Sequence, residues 1–390
     1  MKILLSIFIF NIVSLFMVGN ATAIETASIK VGAAQPTKYL PLLQGKRVGL
    51  LVNQTSYNGE THLVDFLQKE GINLVYLFAP EHGIRGNLGA GETVEDGRDV
   101  KSGLPIISIY GDSKKPSPEL LSDLDIIVFD IQDVGTRFYT YISSMHYMME
   151  AAAENNVEFL VLDRPNPNGM FVDGPVLEPE FQSFVGMHPI PVLHGLTVAE
   201  LARMIKGENW INQAEALQLH WVKVEHYNKQ MPYDLPIAPS PNLPNAQAIQ
   251  LYPSLCFFEP TVVSIGRGTD FPFQLIGHDQ KKLGNWQITP KSMPSSAPNP
   301  KLKGKQLAAM DLTHSSIKGL DLSLFIETFH KFSVQEFYTS TSFMDKLAGT
   351  DKLRLQIEQG LSFEEIKSTW QSDLKDYKQK RAPYLLYAED

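Results

Sequence analysis

Five short runs of nearly uninterrupted aliphatic residues constrain this chain more than any other feature. They are Arg47-Val48-Gly49-Leu50-Leu51-Val52, Asn73-Leu74-Val75-Tyr76-Leu77-Phe78, Pro105 to Tyr110, Asp125-Ile126-Ile127-Val128-Phe129 and Glu158-Phe159-Leu160-Val161-Leu162. A strand with one wet face alternates apolar and polar residues; these runs do not, so both of their faces must be covered. Helical spacing falls between them at Thr61 to Glu70 and Phe138 to Asn155, and again at Thr197 to Lys206, where Thr197 suits the N-cap. Strands separated by helices mean βαβ units and a mainly parallel sheet. The expected class is therefore α/β, with a Rossmann-like, mainly parallel N-terminal domain.

The pattern changes further along. Residues 232–260 are rich in Pro and Asn and read as ordered loop, and the proline-rich stretch 286–303 reads as a surface loop. Leu320 to Phe332 and Leu353 to Ser372 look helical. A smaller α+β C-terminal domain follows, so the expected division is 24–240 and 241–390, with the second part contributing to a cleft.

The N-terminus reads as a targeting segment. Lys2, the apolar run Ile3 to Val18 and the small residues around Ala21-Thr22-Ala23 form a secretory signal, residues 1–23, cleaved after Ala23. The mature protein is then secreted or periplasmic, with no stable membrane insertion. A formal charge of −9 argues against a general affinity for nucleic acid. Cys256 is the only cysteine, which rules out an internal disulfide. Its neighbours Leu255, Phe257 and Phe258 make it a buried structural thiol, not a nucleophile.

In an open parallel sheet, ligands bind beyond the carboxyl ends of the strands. Here those ends carry dense polar sequence. Asn53 follows the first run, and Glu81, His82 and Arg85 follow the second. Asp130, Gln132, Arg137 and Tyr139 follow the fourth, and Asp163, Arg164 and Asn166 follow the fifth. Turn chemistry explains any one of these, but not four clusters on one rim. The chain has no G-x-G-x-x-G at the required spacing, no P-loop, no G-x-S-x-G elbow and no H-E-x-x-H. No cofactor and no metal are expected; a metal site would have to draw on His82, Asp130 and Asp163.

Carboxylates remain as the catalytic candidates. Glycoside cleavage needs a carboxylic acid that can protonate the leaving oxygen, and Glu81 is the first choice, supported by His82 and Asp130. Arg85, Arg137, Arg164 and Arg267 all lie inside the polar motifs, and the planar guanidinium suits a carboxylate ligand. Tyr139 is placed to stack on a sugar, whereas Tyr141 and Tyr147 read as helix core.

The runs FAPEHGIRG, SGLPIISIYG, DIIVFDIQDVGTRFYTYI, VLDRPNPNG, PIPVLHGLTVAELA, APSPNLPN and GRGTDFPFQLIG, in that order, resemble the exo-β-N-acetylmuramidase family of peptidoglycan hexosaminidases. The resemblance extends from about residue 46 to the C-terminus. It implies a cleft between two domains and release of N-acetylmuramic acid (MurNAc) from the non-reducing end of peptidoglycan fragments, MurNAc-GlcNAc saccharides being the substrates. The lactyl carboxylate of MurNAc would explain the arginines. The matched motifs add Ser240, Asn242, Arg267 and Thr269 to the substrate-binding set. Val262 and Ile265 stand where the family pattern carries Asn and Glu, and the usual Pro-Trp after Gly277-His278 is missing. Two other readings compete: a non-catalytic periplasmic muropeptide-binding protein, and a carbohydrate esterase, for which a serine elbow and zinc ligands are absent.

Overall fold

The computed structural model describes residues 28–86, 96–111 and 113–389. The expected signal segment lies outside them. The aliphatic runs form strands within one or two residues of their expected limits: β1 (Val48–Val52), β2 (Leu74–Ala79), β4 (Pro105–Ser108), β5 (Ile126–Asp130) and β6 (Glu158–Leu162). A short β3 (Gly97–Arg98) and a sixth parallel strand, β7 (Leu219–Val222), complete a sheet of order β7-β6-β5-β1-β2-β4-β3. Only β3 runs antiparallel to its neighbour. Counting parallel strands alone, this is the 3-2-1-4-5-6 order of doubly wound nucleotide-binding folds, and the direction of winding switches between β1 and β5.

The unbroken hydrophobicity of the runs has the expected cause. Leu51, Ile127, Phe129 and Phe159 face one core, while Leu50, Val52, Val128 and Leu160 face another across the sheet. Helices α1 (Pro36–Leu43) and α2 (Leu63–Lys69) cover the second face, and α3 (Tyr141–Glu154) and α4 (Val198–Gly207) cover the first. A capping box formed by Thr197 and Glu200 starts α4, as its sequence suggested.

The later half departs from expectation in three places. The Pro/Asn-rich stretch contains a helix, α5 (Ala246–Leu255), capped by Asn245, whose side chain accepts from Ala248 N–H. Pro253 is tolerated near its end. The expected helix Leu353 to Ser372 is broken into Lys352–Glu358 and Phe363–Thr369, with a third helix, Gln371–Arg381, beyond them. Gly360, at φ 82°, provides the break, and a new capping box at Ser362 and Glu365 restarts the chain. The stretch 286–303 is a strap, not a free surface loop: it opens with β9 (Trp286–Ile288), which pairs with β10 (Leu307–Asp311) beside β8 (Leu275–His278) in a small antiparallel sheet. No helix among the described residues is long and apolar enough to cross a membrane.

The C-terminal segment returns to the first sheet. Glu200 and Lys229 form a buried ion pair at 2.9 Å, and Glu200 also accepts from the backbone of Leu386 and Tyr387. Arg381 and Lys229 both donate to the Gly195 carbonyl. Removing one partner of a buried pair leaves the other uncompensated and typically costs about 3–5 kcal/mol. Lys229→Met should therefore lower the unfolding free energy measured in denaturant by that order, whereas the exposed Lys38→Met, whose pair with Glu225 is half in water, should leave it nearly unchanged.

Candidate active site

The winding switch delivers the ends of β1 and β5 to one point, and buried polar groups lock that point together. Asp130, the last residue of β5, is fully buried and receives both arms of Arg164, Nε to Oδ1 at 2.7 Å and Nη2 to Oδ2 at 2.9 Å. Burial pushes this carboxyl up, and the guanidinium on both oxygens opposes the push. Asn53 caps its own turn, accepting from Thr55 N–H at 2.9 Å and Thr55 Oγ1 at 2.6 Å. The Thr55 hydroxyl in turn accepts from Gln132 N–H, while the Gln132 side chain donates to the carbonyls of Asp133 and Pro165.

Above this floor, the turn after β2 presents Glu81. Gly83 N–H bonds the Pro80 carbonyl, and His82 takes φ 69° at the third position, the positive value a type II turn requires. A histidine is seldom held this way, and such strain gathers at functional sites. Thr140 Oγ1 donates to Glu81 Oε2 at 3.1 Å, and Tyr141 donates to the Glu81 carbonyl. The Tyr110 hydroxyl also meets this carboxylate; burial and Glu81 together push the phenol up.

Glu81, His82, Tyr110, Tyr139 and Thr140 line one wall of a cavity of about 780 Å³, within the usual range for a small-ligand site. From beyond residue 239, Ser240, Asn242, Tyr252, Glu259, Arg267, Phe273, Ser296 and Lys301 complete the wall. Arg267 Nε and Nη2 lie 2.7 and 2.6 Å from the same oxygen of Glu259, and the guanidinium rests 5.0 Å over the Phe273 ring. Burial works against its charge, but Glu259 outweighs burial and holds its pKa up. Ile265 reaches this wall, while Val262 pairs by its backbone with Phe337. Cys256 also touches the cavity, yet burial pushes its thiol far up, as suits a structural residue.

The structure thus gathers Glu81, His82, Tyr139, Ser240, Asn242 and Arg267, and leaves the remaining candidates elsewhere. Asp130 and Arg164 satisfy each other below the floor. Arg85 is engaged by Asp99 at 2.8 Å and Asp65 at 3.4 Å. Arg137 is fully buried and donates to the carbonyls of Pro175, Ile190 and Leu347, and burial lowers its pKa to about 9. Asp163 accepts from Thr197, from Ala199 N–H at the start of α4 and from Tyr387. Asn166 donates to the Leu196 carbonyl and packs under Gly135, where a Cβ would meet it at 2.1 Å. Thr269 closes its own turn on the Gly266 carbonyl. His82, Asp130 and Asp163 do not assemble as a metal-binding group, and no such cluster of His, Cys, Asp or Glu occurs among the described residues.

Sequence reasoning had not singled out Tyr110, Thr140 or Lys301 for this cavity, nor the strap that carries Lys301. Gly268, at φ 80°, admits Pro300 and the Lys291 carbonyl of the strap, each of which a Cβ would meet within 2.6 Å, and so brings the strap close.

Two family profiles match this chain in succession: "Exo-beta-N-acetylmuramidase NamZ, N-terminal" over residues 48–247 and its C-terminal counterpart over 250–387. A curated relative, "Peptidoglycan beta-N-acetylmuramidase NamZ" of Bacillus subtilis (strain 168), is 40% identical over 372 residues, covering 90% of this chain and 89% of the relative. Two crystal structures of DUF1343 family proteins from Bacteroides fragilis NCTC 9343 are similar. One has a TM-score of 0.86 at 42% identity, over 93% of this chain and 100% of its own; the other has 0.79 at 31%, over 92% and 99%.

Two outcomes are expected from the floor. Arg164→Met should destabilise by roughly 3–5 kcal/mol, since it strands the buried Asp130 charge, and denaturant unfolding measures this directly. The second concerns Asp133, which is buried, accepts Gly135 N–H on one oxygen and has no partner on the other. Burial raises its pKa to about 7. A raised carboxyl holds a proton in the folded state that the unfolded chain has released, so its contribution is complete below about pH 4 and is lost as pH rises through 7. Stability should fall between about pH 4 and 7, by at most about 1.4 kcal/mol per unit from this group, and level off above that; Asp133→Asn should flatten that slope in melts across pH.

Proposed function

The chain belongs to the exo-β-N-acetylmuramidase NamZ family, and on that premise we propose how its cleft works. It is an exo-acting glycoside hydrolase of peptidoglycan that releases MurNAc from the non-reducing end. The observation that carries the mechanism is that one cavity is lined by both Glu81 and Arg267. The name of the B. subtilis relative favours hydrolysis over mere binding of muropeptides.

Glu81 is the general acid. It gives its proton to the bridging oxygen as the bond from C1 to that oxygen breaks, so the remaining saccharide leaves as a neutral alcohol. Water then supplies a hydroxyl to C1, and its other proton returns to the enzyme. Thr140 and Tyr110 aim the Glu81 carboxyl, and the His82 turn holds it at the rim. Arg267 reads the lactyl carboxylate of MurNAc, the one charge that separates this sugar from GlcNAc; Glu259 fixes its Nε side and Phe273 its face. Ser240, Asn242 and Tyr139 line the same cavity. The substrates are MurNAc-GlcNAc saccharides from peptidoglycan. The Lys2 to Ala23 segment supports export to the periplasm or beyond, where such fragments occur.

Glu81→Gln keeps the shape and removes the proton, so kcat on an unactivated MurNAc-GlcNAc disaccharide should fall about 10²–10⁴-fold. A folded variant that keeps more than about a third of wild-type kcat contradicts the assignment, since general acid catalysis is worth far more than that. Arg267→Met should raise KM for a MurNAc glycoside by roughly tenfold or more, the value of one hydrogen bond to a charged group, and leave the weaker GlcNAc activity nearly unchanged. Equal losses on both sugars would show that Arg267 only supports its loop.

A further inference from the structure

Lys301 is placed like a metal ion. Its ammonium group lies 3.0 Å from the Phe258 carbonyl, 3.1 Å from that of Glu259 and 3.0 Å from that of Val263, and it also bonds the Thr261 carbonyl. Four carbonyl dipoles from one short segment converge on this cation, and no carboxylate among the described residues lies within ion-pairing distance of it. Burying an ammonium is unfavourable unless such dipoles replace water. Phe258, Thr261 and Val263 are fully buried, so their carbonyls cannot turn to water and need a donor inside the fold.

The two partners of this contact explain it. Lys301 lies near the end of the strap, which is tied to its neighbours in the cleft wall by Lys291 N–H to the Gly268 carbonyl at 2.7 Å and by Asn242 Nδ2 to the Ser296 carbonyl at 2.7 Å. The segment 258–263 that Lys301 gathers carries Glu259, which grips Arg267. Turning the carbonyls of that segment inward sets the direction in which the Glu259 side chain leaves it. Gly268, directly after Arg267, is the residue the strap packs against. The ammonium therefore closes a ring: strap, carbonyl segment, Glu259, Arg267 and back to the strap.

We propose that Lys301 is a positioning residue for the carboxylate subsite: a tethered cation that folds residues 258–263 so that Glu259 holds Arg267 toward the lactyl group of the substrate. This rests on the reading that Arg267 meets that carboxylate. Lys301 itself touches no substrate atom, because its donors are spent on the four carbonyls.

The test uses Lys301→Ala and Lys301→Met in the mature protein. The alanine variant leaves a hole the size and charge of n-propylammonium, which is the probe, and n-butanol is the neutral control of similar size. KM and kcat are measured on a MurNAc glycoside and on the matching GlcNAc glycoside, with melting curves alongside. KM for the MurNAc glycoside is expected to rise about tenfold in both variants, comparable to losing one charge-assisted hydrogen bond, with kcat and the GlcNAc reaction little changed. In Lys301→Ala, n-propylammonium should bring the MurNAc KM back toward wild type, and n-butanol should not.

Equal losses on the two sugars, rescue by n-butanol as good as by the amine, or a MurNAc KM within twofold of wild type would each overturn the proposal. Failure of both variants to fold, with the amine present as well as absent, would also overturn it, by making Lys301 a purely structural bolt. The underlying reading fails separately. A wild-type enzyme with no preference for the MurNAc glycoside, or an Arg267→Met variant losing both sugars equally, removes the subsite itself. If that preference is intact and Arg267→Met is selective while Lys301→Ala is silent, only the role of Lys301 falls.

Discussion

The pairing of Asp130 with Arg164 is the constraint on which the rest of the site depends. A carboxylate at the end of the central strand of a parallel sheet is sealed from water on both faces, and it persists there only if a cation reaches it. Arg164, at the end of the neighbouring strand, does so with both arms and also approaches the Tyr57 carbonyl. Ser56, in the turn after β1, donates to the Asp130 carbonyl. Three strand ends are thereby joined at the winding switch, and the loops above them are built on a fixed base. The Asp133 to Tyr139 segment rises from that base to the cavity wall, with Asn166 wedged beneath Gly135. Glu81 lines the cavity one layer higher.

This layering shows why some of the site was legible in the sequence and some was not. The strands could be read because burial on two faces leaves a mark on every residue, as in Ile126 to Phe129. Strand β7 escaped because Leu219-His220-Trp221-Val222 lies at the sheet edge, where polar residues are allowed. The rim was also legible, since four polar clusters on one edge of a sheet demand a cause. Their division was not. A carboxylate that must stay paired beneath a cavity and one that lines it look alike in a sequence, and the position of Arg164 marks Asp130 as the first kind. Arg137 is the sharpest case. It looked like a ligand reader after a strand end, and the fold spends it on three backbone carbonyls across the interior.

The strap illustrates the opposite error. Proline, serine and lysine in 286–303 read as solvent-exposed loop, yet proline also builds walls that need no backbone donors. Residues 296–301 form one side of the cavity for that reason. Glu259 and Arg267 lie eight residues apart in one segment, and Lys301 joins them from the strap between two strands of the small antiparallel sheet. Glu81 comes from the parallel sheet and Arg267 from the later elements, so the cleft exists only when both halves are assembled.

The roles proposed for Glu81 and Arg267 make a directional claim about the substrate: MurNAc is the non-reducing residue and the bond is broken on its reducing side. Mass-spectrometric analysis of the products from two isomeric disaccharides, MurNAc-GlcNAc and GlcNAc-MurNAc, tests it most directly. The account predicts that the first is split to free MurNAc and GlcNAc while the second stays intact. Cleavage of GlcNAc-MurNAc at a comparable rate, or release of disaccharides from the interior of longer chains, would contradict it.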